Sequence, residues 1–439
     1  MPAKPTPTPQ PPQFSSQAIT DDWSALCSTI GERRAGTPEE ARAAEYIAQR
    51  FRDAGVAQVT IEEFPCKSLR SGEAQVFERK GRVWESIPAR PLVGAPSTPG
   101  DEAVTGRLEW LELPENAQRL KPDAFRGCIL AVVGPLPTSL DLHRRLVASN
   151  PLAVIHIDDR LPFSWTKNDG VYPYWARAHG MPPTLTIPYQ HGWRLRREGV
   201  RELRVRVAVT LVNWHSQNVI AEIPGTDPRL PAIALTAHHD TQCGNVGADD
   251  NASGVICILA LARAFARKRL RRTLQLISFG AEEQLSVGSF AHVKRHRVTP
   301  AAIGLVVNFD SVASPLGHWV MSVPGNVKLA DHASECLATH GLDVTTLPEI
   351  TPFSDQFPFN RVGIPSLWFM RPNFPGGRWQ HHSIYDSLEN VSVPEVQRLL
   401  TAVHPLVASL AGQTKWPFPT KLPARELALA QRLGRELFG

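Results

Sequence analysis

Five apolar runs constrain this chain more than any other feature. Residues 218–223 (N-V-I-A-E-I), 232–237 (A-I-A-L-T-A), 273–279 (T-L-Q-L-I-S-F), 304–309 (G-L-V-V-N-F) and 366–370 (S-L-W-F-M) are apolar over most of their length. A strand with one wet face alternates in polarity, whereas strands this uniformly apolar are buried on both faces and favour parallel pairing. Helical periodicity at 254–267, 287–295, 327–340 and 393–412 supplies covering layers. The expected fold is therefore α/β, a mostly parallel central sheet flanked by helices.

Domain organisation follows from texture. Residues 1–15 are proline-rich and polar, and read as a disordered tail. Residues 16–66 and 212–415 form the α/β domain expected to carry the chemistry. Between them, 67–211 alternates short β-like runs (107–113, 127–133, 152–157, 184–187, 203–209) with proline-rich loops and a helix near 139–149, which describes a smaller α/β domain inserted into the first. Residues 416–439 are an extension ending in an amphipathic helix.

With 439 residues, 42% hydrophobic and 20% charged, the chain has the make-up of a globular protein of two or three domains. The net charge of +5 is spread along the sequence, and the one dense run, R-K-R-L-R-R at 267–272, reads as the solvated end of a helix. No zinc-finger spacing or phosphate-cradling loop points to nucleic acid. The six cysteines are scattered, without a C-x-x-C pair, and are expected to be reduced. The N-terminus lacks the apolar core of a secretory signal and no apolar run is long enough to span a bilayer, so the expected setting is cytoplasmic, away from membranes. Oligomeric state leaves no mark in the sequence.

The chemistry sits at strand ends. In open α/β sheets, ligands bind beyond the carboxyl ends of the strands. Here 232–237 is followed by His238, His239 and Asp240, 273–279 by Glu282 and Glu283, and 304–309 by Asp310. The loop G-A-D-D-N-A-S-G (247–254) lies between the first two, and His381-His382 follows 366–370. So many carboxylates on one rim repel one another unless cations neutralise them. Imidazole mixed with carboxylate suits zinc, with cobalt or manganese as alternatives, and argues against an all-oxygen calcium or magnesium cage.

These segments resemble the zinc exopeptidases of the bacterial leucyl aminopeptidase and glutamate carboxypeptidase type. T-A-H-H-D-T, G-A-D-D-N-A-S-G, F-G-A-E-E, N-F-D-S and H-H-S-I-Y-D-S carry the likeness, over roughly 17–66 and 212–412. The resemblance implies a phosphorylase/hydrolase-like fold and two Zn2+ ions held by His238, Asp249, Glu283, Asp310 and His382. Asp249 is the implied bridge, with a cis peptide to Asp250. His238 and Asp310 fall on one ion, Glu283 and His382 on the other. Asp240 is implied to orient His238, and Glu282 to act as general base. The insert is similar to a protease-associated domain. The implied activity is hydrolysis of peptide bonds in peptides or small aminoacyl substrates, aminopeptidase in preference to carboxypeptidase. A glutaminyl cyclase-like acyltransferase and a non-catalytic receptor-like homologue are the rivals.

Several neighbours carry a bland and a sharp reading. Gln356, in the wall segment 354–366, stands where the family often has His or Tyr and could donate to an oxyanion. His381 is an alternative to His382, and Asp386 could orient the last histidine or cap a helix. Arg361, Arg371 and Arg378 read as surface residues or, if convergent, as carboxylate binders. His239 and Cys243 read as structural.

Overall fold

The structure, a computed structural model, describes residues 14–167, 170–374 and 377–439. Of the expected tail, 1–13 lie outside the described residues. Phe14 packs edge-on against His404, and the Ser15 hydroxyl caps the helix Ser16–Ser24.

Four strands form the parallel centre, in the order Leu274–Phe279, Ala232–His238, Ile303–Phe309 and Ser366–Met370. Alternate side chains enter different cores. Leu235, Leu276 and Val307 join one with the helices Pro38–Asp53, Ser253–Phe265 and Val393–Gly412, while Ala234, Ile277 and Val306 join another with Phe359 and Ile364. Burial on both faces is what the uniformly apolar runs require.

The mostly parallel centre is as expected, and antiparallel strands join it on both sides. Glu202–Ile223 pairs antiparallel with one side of the centre, and Val320–Ser322 pairs antiparallel with the other, followed by Thr345–Leu347. The sheet is therefore mixed, with a parallel centre buried on both faces and antiparallel pairings on either side of it. Thr345–Leu347 is exposed throughout, too short and polar to stand out in the sequence.

Gln58–Lys80 and Glu202–Ile223 form one antiparallel ribbon, in register from Gln58↔Glu222 to Glu78↔Leu203. The ladder runs through 70–72 with a bulge between Leu69 and Ser71. The far end of Glu202–Ile223 pairs with Val104–Glu112. Cys128–Val133, Ala153–Ile157 and Thr184–Thr186 then follow in parallel around separate apolar clusters. Helices Pro173–His179 and Tyr189–Arg197 in this region were not foreseen, because arginine, tryptophan and histidine obscure their periodicity.

The last helix, Ala424–Phe438, lies against both parts. Phe438 packs on Phe290 and Phe357 with ring centres 4.4 and 5.9 Å apart, and Trp175 Nε1 donates to the Glu436 carbonyl at 2.5 Å. Residues 267–269 are exposed as expected of the basic run, but Arg272 is buried over the Trp416 ring at 3.9 Å. None of the six cysteines is joined in a disulfide. Among the described residues no helix is long and apolar enough to cross a membrane.

Candidate metal centre

The parallel strands aim their carboxyl ends at one rim. His238 closes Ala232–His238, Asp310 follows Ile303–Phe309, and Glu282 and Glu283 form a short turn after Leu274–Phe279. Asp240 holds this turn from below, its Oδ1 accepting from Glu282 N at 2.9 Å and its Oδ2 from Glu283 N at 3.1 Å. The same carboxylate stands 3.5 Å from His238 Nδ1. Asp240 therefore sets the orientation of an imidazole and two carboxylates together.

Asp250 occupies the middle of the rim. Its Oδ1 lies 3.2 Å from His238 Nε2, which is 3.8 Å from Asp310 Oδ1. Its Oδ2 lies 3.6 Å from His382 Nε2, which is 3.1 Å from Glu283 Oε2. Each oxygen of one carboxylate thus faces a separate imidazole–carboxylate pair. His381 stacks on His382 at 3.5 Å between ring centres and reaches Asp250 Oδ2 at 3.3 Å, so its nitrogen enters the same cluster.

This corrects the sequence reading of Asp249 as the bridging ligand. Asp249 Oδ1 accepts from Ala313 N at 2.7 Å and Oδ2 from Gln380 Nε2 at 3.1 Å, which turns its carboxylate away from the imidazoles. The cis peptide lies between Asp250 and Asn251, one residue later than expected. Asp386 neither orients a histidine nor caps a helix. Its two oxygens accept from Asp249 N at 2.6 Å and Asp250 N at 3.1 Å, bracing the backbone that presents Asp250.

The rest of G-A-D-D-N-A-S-G is an internal scaffold. Asn251 Nδ2 donates to the Phe309 carbonyl at 2.8 Å, Ser253 Oγ accepts from Val312 N at 3.1 Å, and both ties fix the loop to the strand carrying Asp310. Gly254 approaches the Phe309 carbonyl so closely that a Cβ would collide with it, which accounts for glycine at the first turn of this helix.

Charge and burial shape the site. Burial drives the Glu282 carboxyl well above its ordinary range; the His238 ring opposes this and Asp355, Asp310 and Glu283 add to it. Burial also raises Glu283 and pushes Asp249 up to about 6. Asp250 goes the other way: burial opposes ionisation, but the adjacent His238 and His381 imidazoles and the charge of Arg378 hold its carboxyl well below the usual range. His238 Nε2 and Glu283 Oε1 are buried without a hydrogen-bond partner. Unpartnered polar atoms among crowded carboxylates are what a bound divalent cation satisfies. The donor set of imidazole and carboxylate fits zinc.

The remaining residues sort by environment. His239 is buried, bonded through Nδ1 to Ser278 Oγ at 2.9 Å, and burial pushes its pKa down to about 3. Gln356 is engaged at both ends, by Asn308 Nδ2 at 3.2 Å and the Thr351 carbonyl at 3.4 Å, and does not point into the site as an oxyanion donor. Cys243 belongs to a separate cavity with Glu32, Arg34 and Arg90. Arg371 and Arg378 are not surface residues. Arg371 Nε donates to the Ser314 carbonyl at 2.7 Å, and Arg378 Nη2 lies 3.2 Å from Asp250 Oδ2. Arg361 rests on the Phe290 ring at 4.4 Å.

Sequence reasoning passed over several supports. Ser286 Oγ donates to Glu282 Oε1 at 3.1 Å and Ser354 Oγ to Asp310 Oδ2 at 2.5 Å. Arg33 is fully buried and donates to the carbonyls of His239, Val246, Gly247, Leu26 and Gly31 at 2.8–3.1 Å. It ties the N-terminal segment to the loops on both sides of the site. Arg33→Ala strands these carbonyls in the interior and is expected to cost about 3 kcal/mol or more, on the scale of bonds to a buried charged group. A chemical denaturation midpoint unchanged by the substitution would contradict this.

A cavity of about 620 Å³ opens over the rim. Asp250, Glu282, Glu283, Asp310 and His382 form its floor, and Leu136, Asp159, Arg160, Tyr172 and Met181 line it from the 67–211 region. Phe353, half exposed, stands in its wall 6.4 Å from the Tyr172 ring.

A mixed sheet flanked by helices, with His and carboxylate side chains gathered at the ends of its central strands, defines a protein of the zinc-aminopeptidase fold. A zinc aminopeptidase structure from Bacillus subtilis superposes with a TM-score of 0.73 at 21% identity, over 92% of this chain and 97% of that one. Residues 218–407 match the model of Peptidase family M28. Carboxypeptidase Q of Bos taurus is 25% identical over 65% of this chain and 62% of its own length. Aminopeptidase YwaD of Bacillus subtilis is 27% identical over 54% of this chain and 53% of its own. The chain thus spans under two thirds of the length of the curated relatives it matches.

Proposed function

We propose that this chain is a two-metal exopeptidase that releases N-terminal residues from peptides. The observation that supports it most is Asp250, whose two oxygens face the pairs His238/Asp310 and Glu283/His382. These five residues would hold two zinc ions, with His381 beside them as a further donor. Ions bound there supply Lewis acidity, lowering the pKa of water and polarising the scissile carbonyl.

The chain's own groups do the rest. Glu282 Oε2 lies 3.9 Å from His238 Nε2, over the same space, and takes the proton of the attacking water and returns it to the leaving amine. Asp240 keeps His238 and the Glu282–Gln284 turn in place, the outer support that bound metals require. Aminopeptidase specificity is favoured by the sign of the cavity. Its floor is acidic, which suits an ammonium group, and its arginines are each engaged with a carboxylate, Arg378 with Asp250 and Arg160 with Asp158. The region 67–211, which we read as a protease-associated-like insert, encloses the peptide's end with Tyr172 and Leu136.

Arg378 is also the observation that favours carboxypeptidase action, since a guanidinium at the rim could grip a terminal carboxylate through paired bonds. A substrate panel separates the readings. Aminoacyl amides with a free amine are expected to be cleaved, their N-acetyl counterparts and N-blocked dipeptides not, with activity lost in chelator and restored by zinc. Cleavage of N-blocked dipeptides would overturn the preference, and cyclisation of N-terminal glutaminyl peptides would point to acyl transfer.

A further inference from the structure

A second group of metal-type donors lies outside the acidic rim. His292 and His296 are one helical turn apart at the end of Val287–Arg295, so their side chains share a face. Glu62, on Gln58–Lys80, meets them from the adjoining strand. One ligating atom from each of the three lies within 4.8 Å of the other two. His296 Nε2 is 2.9 Å from Glu62 Oε2, and the imidazole ring centres are 4.6 Å apart.

The ordinary explanation is a surface ion pair between His296 and Glu62, an interaction of small value. It leaves His292 unexplained. That ring is buried against Phe279 and Phe359, with centres 5.8 and 6.1 Å away, and its Nδ1 has no hydrogen-bond partner. Burial also pushes its pKa down to about 4, so the imidazole is neutral at pH 7, the form that binds metal. Two imidazoles and a carboxylate are a zinc-type donor set with room for solvent as the fourth ligand. Ligand atoms around a tetrahedral zinc bonded at about 2.0–2.1 Å stand about 3.3 Å apart. A modest inward swing of His296, which is 41% exposed, closes the difference.

We propose that Glu62, His292 and His296 form a peripheral divalent-metal site, of zinc type, that clasps the Val287–Arg295 helix to the Gln58–Lys80 strand. Arg295 tempers its affinity, because Nη1 lies 3.4 Å from Glu62 Oε2, although Nη2 is anchored on the Glu63 carbonyl at 2.5 Å. The clasp acts on the helix that begins just after Ser286, whose hydroxyl bonds to Glu282.

The test uses the full-length protein, dialysed against chelator, freed of it and titrated with Zn2+ or Co2+. Wild type is expected to bind one more equivalent per chain than either His296→Ala or Glu62→Gln, with an additional visible Co2+ band that both variants lack. Zinc is expected to raise the thermal midpoint of wild type more than that of either variant. Neither substitution touches the rim, so the difference is readable whether or not the protein cleaves peptides. Equal uptake and equal Co2+ spectra in all three proteins would overturn the proposal. So would loss of the equivalent in His296→Ala but not Glu62→Gln, which describes a surface histidine alone.

Discussion

Glu282→Gln is expected to lower kcat by about 10²–10⁴-fold, the contribution of a positioned general base, while metal content and thermal midpoint stay close to wild type. The amide retains the oxygen that accepts from Ser286, so the local fold has no reason to change. It cannot take a proton from water. Turnover of an aminoacyl amide at saturating metal, measured beside metal content, checks this; full activity in the variant removes Glu282 from the chemistry.

Asp250→Ala and Asp249→Asn are expected to part company sharply. Asp250 faces both imidazole–carboxylate pairs, so its loss should weaken metal binding by more than the roughly 10–100-fold that outer supports are worth and leave no measurable turnover. Asp249 is a bracket between Ala313 and Gln380. An asparagine keeps one acceptor there, so the expected result is retained metal and activity within about tenfold, with stability lowered by about 1 kcal/mol. Metal analysis and urea melts of both variants decide the matter. If Asp249→Asn loses the metals and Asp250→Ala keeps them, the geometric reading of the rim is wrong.

The strand ends were legible because three of the apolar runs lead within three residues into His or carboxylate side chains, and few other arrangements put His238, Glu282, Glu283 and Asp310 after buried strands. Which of two adjacent aspartates faces inward was not legible. Asp249 and Asp250 differ by one backbone step, and the side that each takes is set by distant partners, Ala313, Gln380 and Asp386, that spacing cannot reveal. Arg33 escaped for a similar reason, since a buried arginine bonded only to carbonyls looks like any surface arginine in sequence. The antiparallel flanks were missed where strands are short, as at Val320–Ser322, or where a bulge interrupts the pattern, as at Leu69/Ser71.

The paired run from Gln58↔Glu222 to Glu78↔Leu203 behaves as a beam. A two-stranded ladder can flex and twist, but neither strand can slide along the other, because a shift of one residue turns every side chain to the opposite side. The ladder's register, shifted once at the bulge between Leu69 and Ser71, thus sets how far the outer layer stands from the rim. Shortening both arms by matched pairs would lower the roof of the cavity in discrete steps of about 7 Å, two residues of strand rise, a direct handle for resizing what can enter.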